Sequence, residues 1–287
     1  LLCLPAAGGL TLAARRLPGF AEAYAARVYP LLAQPVNFLT GLLPFSVMEV
    51  LCTALLAAVP VLLFVFVRRL VRLPDRRARL RFAAAVVTKL VCAASAALLA
   101  FVLLCGINYH RYTFAQHSGL PVQKSTVGEL QTLCEDLAAQ ANALAAQVPV
   151  DETGVCTLFA EGFGQLADAA DEAYALAAQA FPVLDGSYGS AKPMYGSFFM
   201  SRLQLTGVFF PFTVESNVNS LAPSYNVPVT VCHELAHLRG FMREDEANFR
   251  HYFDALPMAI IESNMEYFSV LRCNQPYRDF MMKTFEI

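Results

Sequence analysis

From Val50 to Val67, and again from Leu90 to Tyr109, the 287-residue chain carries no charged side chain. Each run approaches the roughly 20 apolar residues that cross a bilayer as one helix. Few other folds satisfy every backbone polar group of such a segment internally. Two spans are therefore expected, at about 46–67 and 86–109. The loop between them, 68–81, holds Arg68, Arg69, Arg72, Arg76, Arg77, Arg79 and Arg81 against the single acid Asp75. A short arginine-rich loop belongs on the cytoplasmic side by the positive-inside bias, so the chain after about His110 is expected outside the cytoplasm.

Charge divides the chain at the same place. Residues 1–110 contain eleven Lys/Arg and three Asp/Glu, and residues 111–287 contain ten Lys/Arg and twenty Asp/Glu. The net charge of −2 thus conceals a basic apolar half and an acidic half. An acidic balance lacks the clustered basic face of a nucleic-acid reader, and nucleic acid is dropped as a partner. With 56% hydrophobic and 15% charged residues, the chain is neither disordered nor an ordinary soluble globule.

Within the first half, Leu1 to Ala14 reads as the tail of a further span already under way where the chain starts. Residues 28–48 are also uncharged but interrupted by Pro30, Pro35, Pro44, Gln34 and Asn37, which predicts an interfacial or re-entrant segment. Cys3, Cys52, Cys92 and Cys105 sit in apolar runs; Cys134, Cys156, Cys232 and Cys273 follow without CxxC spacing. Neither a thiolate zinc site nor a disulfide framework is implied.

In the second half, Ser125 and Thr126 ahead of Glu129 match a capping box opening a helix that Pro149 ends, and a second helical pattern runs from about Cys156 to Ala180. Gly186 to Pro228 has the texture of loops and short strands. Pro211 confines the strand around Val208–Asn219 to an edge or a bulge. Helix returns at about Val229.

That last helix carries His233-Glu234-Leu235-Ala236-His237. Residues four apart stand one turn up on the same face, so both imidazoles reach one ion, and zinc accepts the geometry. Glu234 points about 100° away from His233; it is suited to take a proton from a water that the ion activates and pass it to a leaving amine. With five histidines, a chance HExxH arises in fewer than about one in a hundred such sequences.

A hydrolytic zinc site needs a third protein ligand and an open fourth position. Glu244 is the candidate, with Glu246 as its competitor about 200° around the same helix. On an unbroken helix Glu244 would lie about 10 Å beyond His237. The chain must turn between them, and Gly240 supplies a left-handed helix stop. A second helix starting near Glu244 would put Asn248 on the same face, where its amide can orient a ligand imidazole. Arg243 stands where HExxHxxGxxH enzymes have their third histidine, which argues against that class. His251, Tyr252 and Tyr225 are nearby candidates to stabilise an oxyanion.

The sequence HELAHLRGFMREDEANF, preceded by two spans, a basic loop and FFPFTVESNVN, resembles the bacterial membrane proteins grouped as domain of unknown function 3810. Glu244-x-x-x-Asn248 also looks like the ExxxD element of gluzincins such as the CAAX prenyl endopeptidases, with Asn in place of Asp. The resemblance implies an α-helical membrane anchor, residues 1–110, joined to an α+β, mostly helical, zincin-like extracytoplasmic domain, residues 111–287. It further implies that the strand near Val208–Asn219 lines the cleft and pairs with an extended peptide. The expected activity is zinc-dependent peptide hydrolysis at a multi-pass bacterial cell-membrane protein. One zinc ion would be held by His233, His237 and Glu244, with Glu234 as general base, a peptide or protein as substrate and the lipid bilayer as partner. The alternative is a zinc-binding membrane sensor or interaction protein that does no hydrolysis.

Overall fold

The computed structural model describes residues 2–119, 126–145, 152, 162–222 and 226–247. Five helices come first: α1 (Cys3–Arg16), α2 (Phe20–Arg27), α3 (Tyr29–Gly41), α4 (Val47–Arg72) and α5 (Arg76–Leu104). A 3-10 turn at Gly106–His110 leads to α6 (Phe114–Ser118), α7 (Val127–Ala145) and α8 (Phe163–Ala180). The remaining elements are β1 (Lys192–Pro193), α9 (Ser197–Arg202), β2 (Gly207–Phe210), β3 (Glu215–Val218), α10 (Val227–Leu238) and α11 (Glu244–Ala247).

The first uncharged run lies in α4 and residues 90–104 of the second lie in α5, both helices long and apolar enough to cross a membrane; residues 106–109 of the second run form the 3-10 turn instead. Their caps are set locally. Ser46 accepts the Glu49 N–H at 3.1 Å to open α4, and Asp75 accepts the Ala78 N–H at 2.8 Å to open α5 after a three-residue turn. They form an antiparallel hairpin whose side chains mostly face outward. The first turn of α4 and the last turn of α5 therefore lie at one end.

That end is built into the rest of the molecule. The carboxylate of Glu215 on β3, only 2% exposed, accepts the Val47 and Met48 N–H groups at 3.0 and 2.9 Å. A buried carboxylate thus completes the α4 N-terminus, where free N–H groups and the helix dipole favour negative charge. Lys192 on β1 neutralises it at 2.7 Å and also donates to the Thr40 and Phe45 carbonyls.

The prolines of 28–48 do not prevent a regular helix, and that part of the expectation is corrected: 29–41 is the helix α3. Pro30 falls in the first turn, where a missing N–H costs nothing, and Pro44 follows the helix end. Pro35 alone removes an interior hydrogen bond. Tertiary contacts hold α3 in place. Asn37 donates to the Val214 carbonyl at 2.7 Å, Thr40 to the Thr213 carbonyl at 3.1 Å, and the Tyr29 hydroxyl to the Leu238 carbonyl at 3.0 Å. Val214 needs such support, because its φ of +50° is costly for a β-branched residue.

The sheet has the order β1-β3-β2, with β1 parallel and β2 antiparallel to β3, in the register Gly207↔Val218 to Phe210↔Glu215. β2 is therefore an edge strand, and Pro211 follows its last residue, so it removes no ladder bond. α10 packs on this sheet. The core joins Ala7, Tyr29, Ala33, Val102 and Ile107 to Leu166, Val218, Val231 and Leu235, and it is continuous across residue 110. Apolar side chains of α1–α3, α5, α8 and α10 share it, so removal of the first 110 residues would expose one side of α10.

Candidate metal centre

α10 presents two faces. Val231, Leu235 and Leu238 are fully buried, while His233 and His237 line a cleft of about 510 Å³ together with Glu234. The helix is fixed to β3 where the Ser216 hydroxyl donates to the Glu234 carbonyl at 2.8 Å. Gly207 lies against Glu234 and Thr230 so closely that a Cβ there would fall 2.6 Å from Thr230 Cγ2. Strand β2 and the helix meet at a residue without a side chain.

The helix ends as the glycine predicts. Gly240 has a φ of +88°; its N–H donates to the His237 carbonyl at 2.9 Å and the Phe241 N–H to the Ala236 carbonyl at 3.1 Å. This pair of bonds is the Schellman arrangement. It turns the chain back over the last helical turn, with two consequences. The Phe241 carbonyl lands 2.7 Å from His237 Nδ1, and Glu244, opening α11, returns to the imidazoles.

The loop is anchored on its far side. Phe241 and Met242 are buried, and Phe241 packs edge-on against Phe114. The Arg111 guanidinium lies 4.1 Å over the Phe241 ring, donates to the Arg239 carbonyl at 3.0 Å and meets Glu22 at 3.3 Å. Residues of α2 and of the segment after α5 thus hold the peptide that orients His237.

The three expected ligands come together. His233 Nε2 and His237 Nε2 are 3.0 Å apart, and Glu244 oxygens lie 3.2 Å from the first and 3.6 Å from the second. A tetrahedral zinc ion with Zn–N and Zn–O of 2.0–2.1 Å has donor–donor edges of about 3.3 Å, the middle of this set. His237 Nδ1–H, donated to a carbonyl, leaves the lone pair on Nε2 facing the other donors. The residues fit one divalent ion with two nitrogens and one oxygen, its remaining side toward the cleft. Glu246, the competitor for third ligand, has its side chain outside the described residues. So do Asn248, Tyr225, His251 and Tyr252.

Glu234 lies beside this triangle and is 3% exposed. One carboxylate oxygen has no hydrogen-bond partner among the described residues, and the Phe209 N–H is donated to the group. Burial, helped by the nearby Glu244 charge, pushes its pKa up from 4.5 to about 8. His237 moves the other way: burial and the neighbouring His233 lower its pKa and favour the neutral imidazole.

The two histidines, Glu234, the Gly240 turn and Glu244 lie within residues 24–261, which match the family described as Protein of unknown function (DUF3810). The chain belongs to that family. No curated protein and no solved structure matches it. In this DUF3810 chain the histidines, Glu234, Gly240 and Glu244 were legible in the sequence. The Phe241 carbonyl, the Phe209 amide, Gly207 and the Glu22–Arg111 pair were not, since a backbone group or a partner 89 residues away leaves no local pattern.

The raised Glu234 pKa has a measurable consequence in metal-free protein. Between pH about 4.5 and about 8 the folded chain holds a proton that the unfolded chain has released, so this group's contribution to stability falls as pH rises through that window. Glu234→Gln removes that contribution. Melting temperature against pH for chelator-treated wild type should decline more steeply than for the variant, and parallel curves would contradict the shift.

Proposed function

We propose that this protein is a membrane-anchored, zincin-like, zinc-dependent peptidase. The observation that carries the reading is the triangle of His233, His237 and Glu244 donor atoms beside the buried carboxylate of Glu234 in a cleft. Bound there, zinc supplies the Lewis acidity that lowers the pKa of a water toward about 7 and polarises a scissile carbonyl. The chain's own residues do the rest. His237 keeps its Nε2 lone pair available because its other nitrogen is committed to the Phe241 carbonyl. Glu234, buried beside the imidazoles with one oxygen that has no hydrogen-bond partner among the described residues, takes a proton from water and returns it to the leaving nitrogen. A cation nearby favours its ionised form, opposing the burial that raises its pKa. β2 is an edge strand with Leu205 to Phe209 along the cleft, a surface that suits an extended peptide added as a further strand.

The anchor reading rests on α4 and α5, and the arginine loop between them orients the cleft away from the cytoplasm. Because the core crosses residue 110, the protein to test is the full chain in detergent. Elemental analysis after zinc-replete expression is expected to find one zinc per chain, lost on chelation together with peptide hydrolysis. Zinc-free protein from such a preparation would overturn the reading.

A further inference from the structure

The cleft lies at one end of the α4–α5 hairpin, since Phe101 and Cys105 at the close of α5, and Tyr109 just beyond, line it. Around that end stands a collar of large apolar side chains that join no core among the described residues. Leu42, after α3, is 66% exposed; on and beside α9, Tyr195 is 84%, Phe199 70% and Leu203 70% exposed, with Phe198 beside them. Within α9 only Ser197 and Met200 turn inward. A soluble surface rarely gathers this much apolar area without a partner.

The height of the collar is fixed by hydrogen bonds. Glu49, in the first turn of α4, accepts the Tyr195 N–H at 3.0 Å and also the Gly196 N–H. Lys192, just upstream, is held by the Thr40 and Phe45 carbonyls. α9 is therefore fastened level with the start of α4, where the exposed apolar surface of that helix begins at Val50 and Leu51. Tyr195 and Gly196, at the start of α9, thus stand against the turn of α4 from which that apolar surface runs. Arg202 lies 4.9 Å over the Phe198 ring, a cation beside the aromatic groups, the pairing suited to a headgroup layer.

We propose that this collar is seated in the interfacial layer of the bilayer, so that α9 lies on the membrane and the cleft opens at its surface. The inference rests on the membrane-anchor part of the proposed function and not on its chemistry. Continuity with the flank of α4 selects lipid as the occupant.

The chain contains no tryptophan, so one substitution gives a single indole reporter. Full-length Phe199→Trp, with Leu203→Trp as a second position, would be reconstituted in phosphatidylcholine–phosphatidylglycerol vesicles. Val61→Trp, midway along α4, marks the bilayer interior. Phe199→Trp is expected to emit at shorter wavelength than an indole in water. It should lose most of its intensity to lipids brominated near the top of the acyl chain and little to aqueous iodide. Val61→Trp should respond best to bromines near the chain end. Quenching of both collar positions by iodide but not by brominated lipid, with Val61→Trp still lipid-quenched, would overturn the collar and leave the anchor standing. Val61→Trp untouched by any brominated lipid would overturn both. Zinc content of the same preparations reports separately on the metal centre.

Discussion

Replacing Glu234 by Gln is expected to leave zinc stoichiometry unchanged and to reduce peptide hydrolysis by roughly 10²–10⁴-fold, the usual contribution of a positioned general base. The pocket itself makes this a clean substitution. Burial already raises the Glu234 pKa to about 8, so the metal-free site accommodates a neutral side chain of the same shape without a new desolvation cost. The Phe209 N–H can still donate to the amide oxygen. What is lost is the capacity to accept a proton, beside three donors that remain in place. Elemental analysis and cleavage of a peptide library, run on wild type and variant, separate the outcomes. Zinc in both with hydrolysis only in wild type supports the assignment. Zinc in both with hydrolysis in neither turns the chain into a metal-binding module, and undiminished hydrolysis in the variant rejects Glu234 as base.

The parts of this arrangement that were legible in the sequence are those fixed within about one helical turn. HExxH places two imidazoles on one face by helix periodicity alone. Gly240 ends the helix because its backbone adopts the positive φ that other residues avoid. The Thr126–Glu129 box forms as its spacing requires, with Glu129 accepting the Thr126 N–H at 2.7 Å and Thr126 the Glu129 N–H at 3.2 Å. The second predicted helix is seen as α8, from Phe163 to Ala180, its proposed start at Cys156 lying outside the described residues.

What escaped the sequence depends on distant partners. Prolines 30, 35 and 44 are poor helix signals in isolation, yet α3 forms because Asn37 and Tyr29 find carbonyls 177 and 209 residues away. Glu215 looks like an ordinary acid in a polar stretch; only the fold brings it beneath the first turn of α4, where its burial is matched by Lys192. Asn248, expected to orient an imidazole, lies outside the described residues. For His237 that role falls to the Phe241 carbonyl, a group every residue type carries, which the Schellman turn delivers.

The third ligand is the step most open to attack, and Glu244→Ala attacks it with least collateral damage. The Glu244 side chain is 73% exposed, so its removal opens no cavity and leaves the two imidazoles in contact with each other, and the melting temperature of metal-free protein should not fall. Structural zinc sites bind with 10–16 kcal/mol spread over four ligands, roughly 3 kcal/mol each, and 1.4 kcal/mol is tenfold in affinity. Loss of the carboxylate should therefore weaken zinc binding by roughly two orders of magnitude or more. His237→Ala should weaken it comparably, but with a second signature. His237 is 7% exposed and its Nδ1–H satisfies the Phe241 carbonyl, so truncation opens a cavity and leaves that carbonyl without its partner. The metal-free His237→Ala protein should melt lower than wild type while Glu244→Ala does not. Competition titration with a chelator of known affinity measures the first effect, and thermal denaturation after chelation the second. Glu244→Ala that binds zinc as tightly as wild type would move the third donor elsewhere and break the link between the Gly240 turn and the metal.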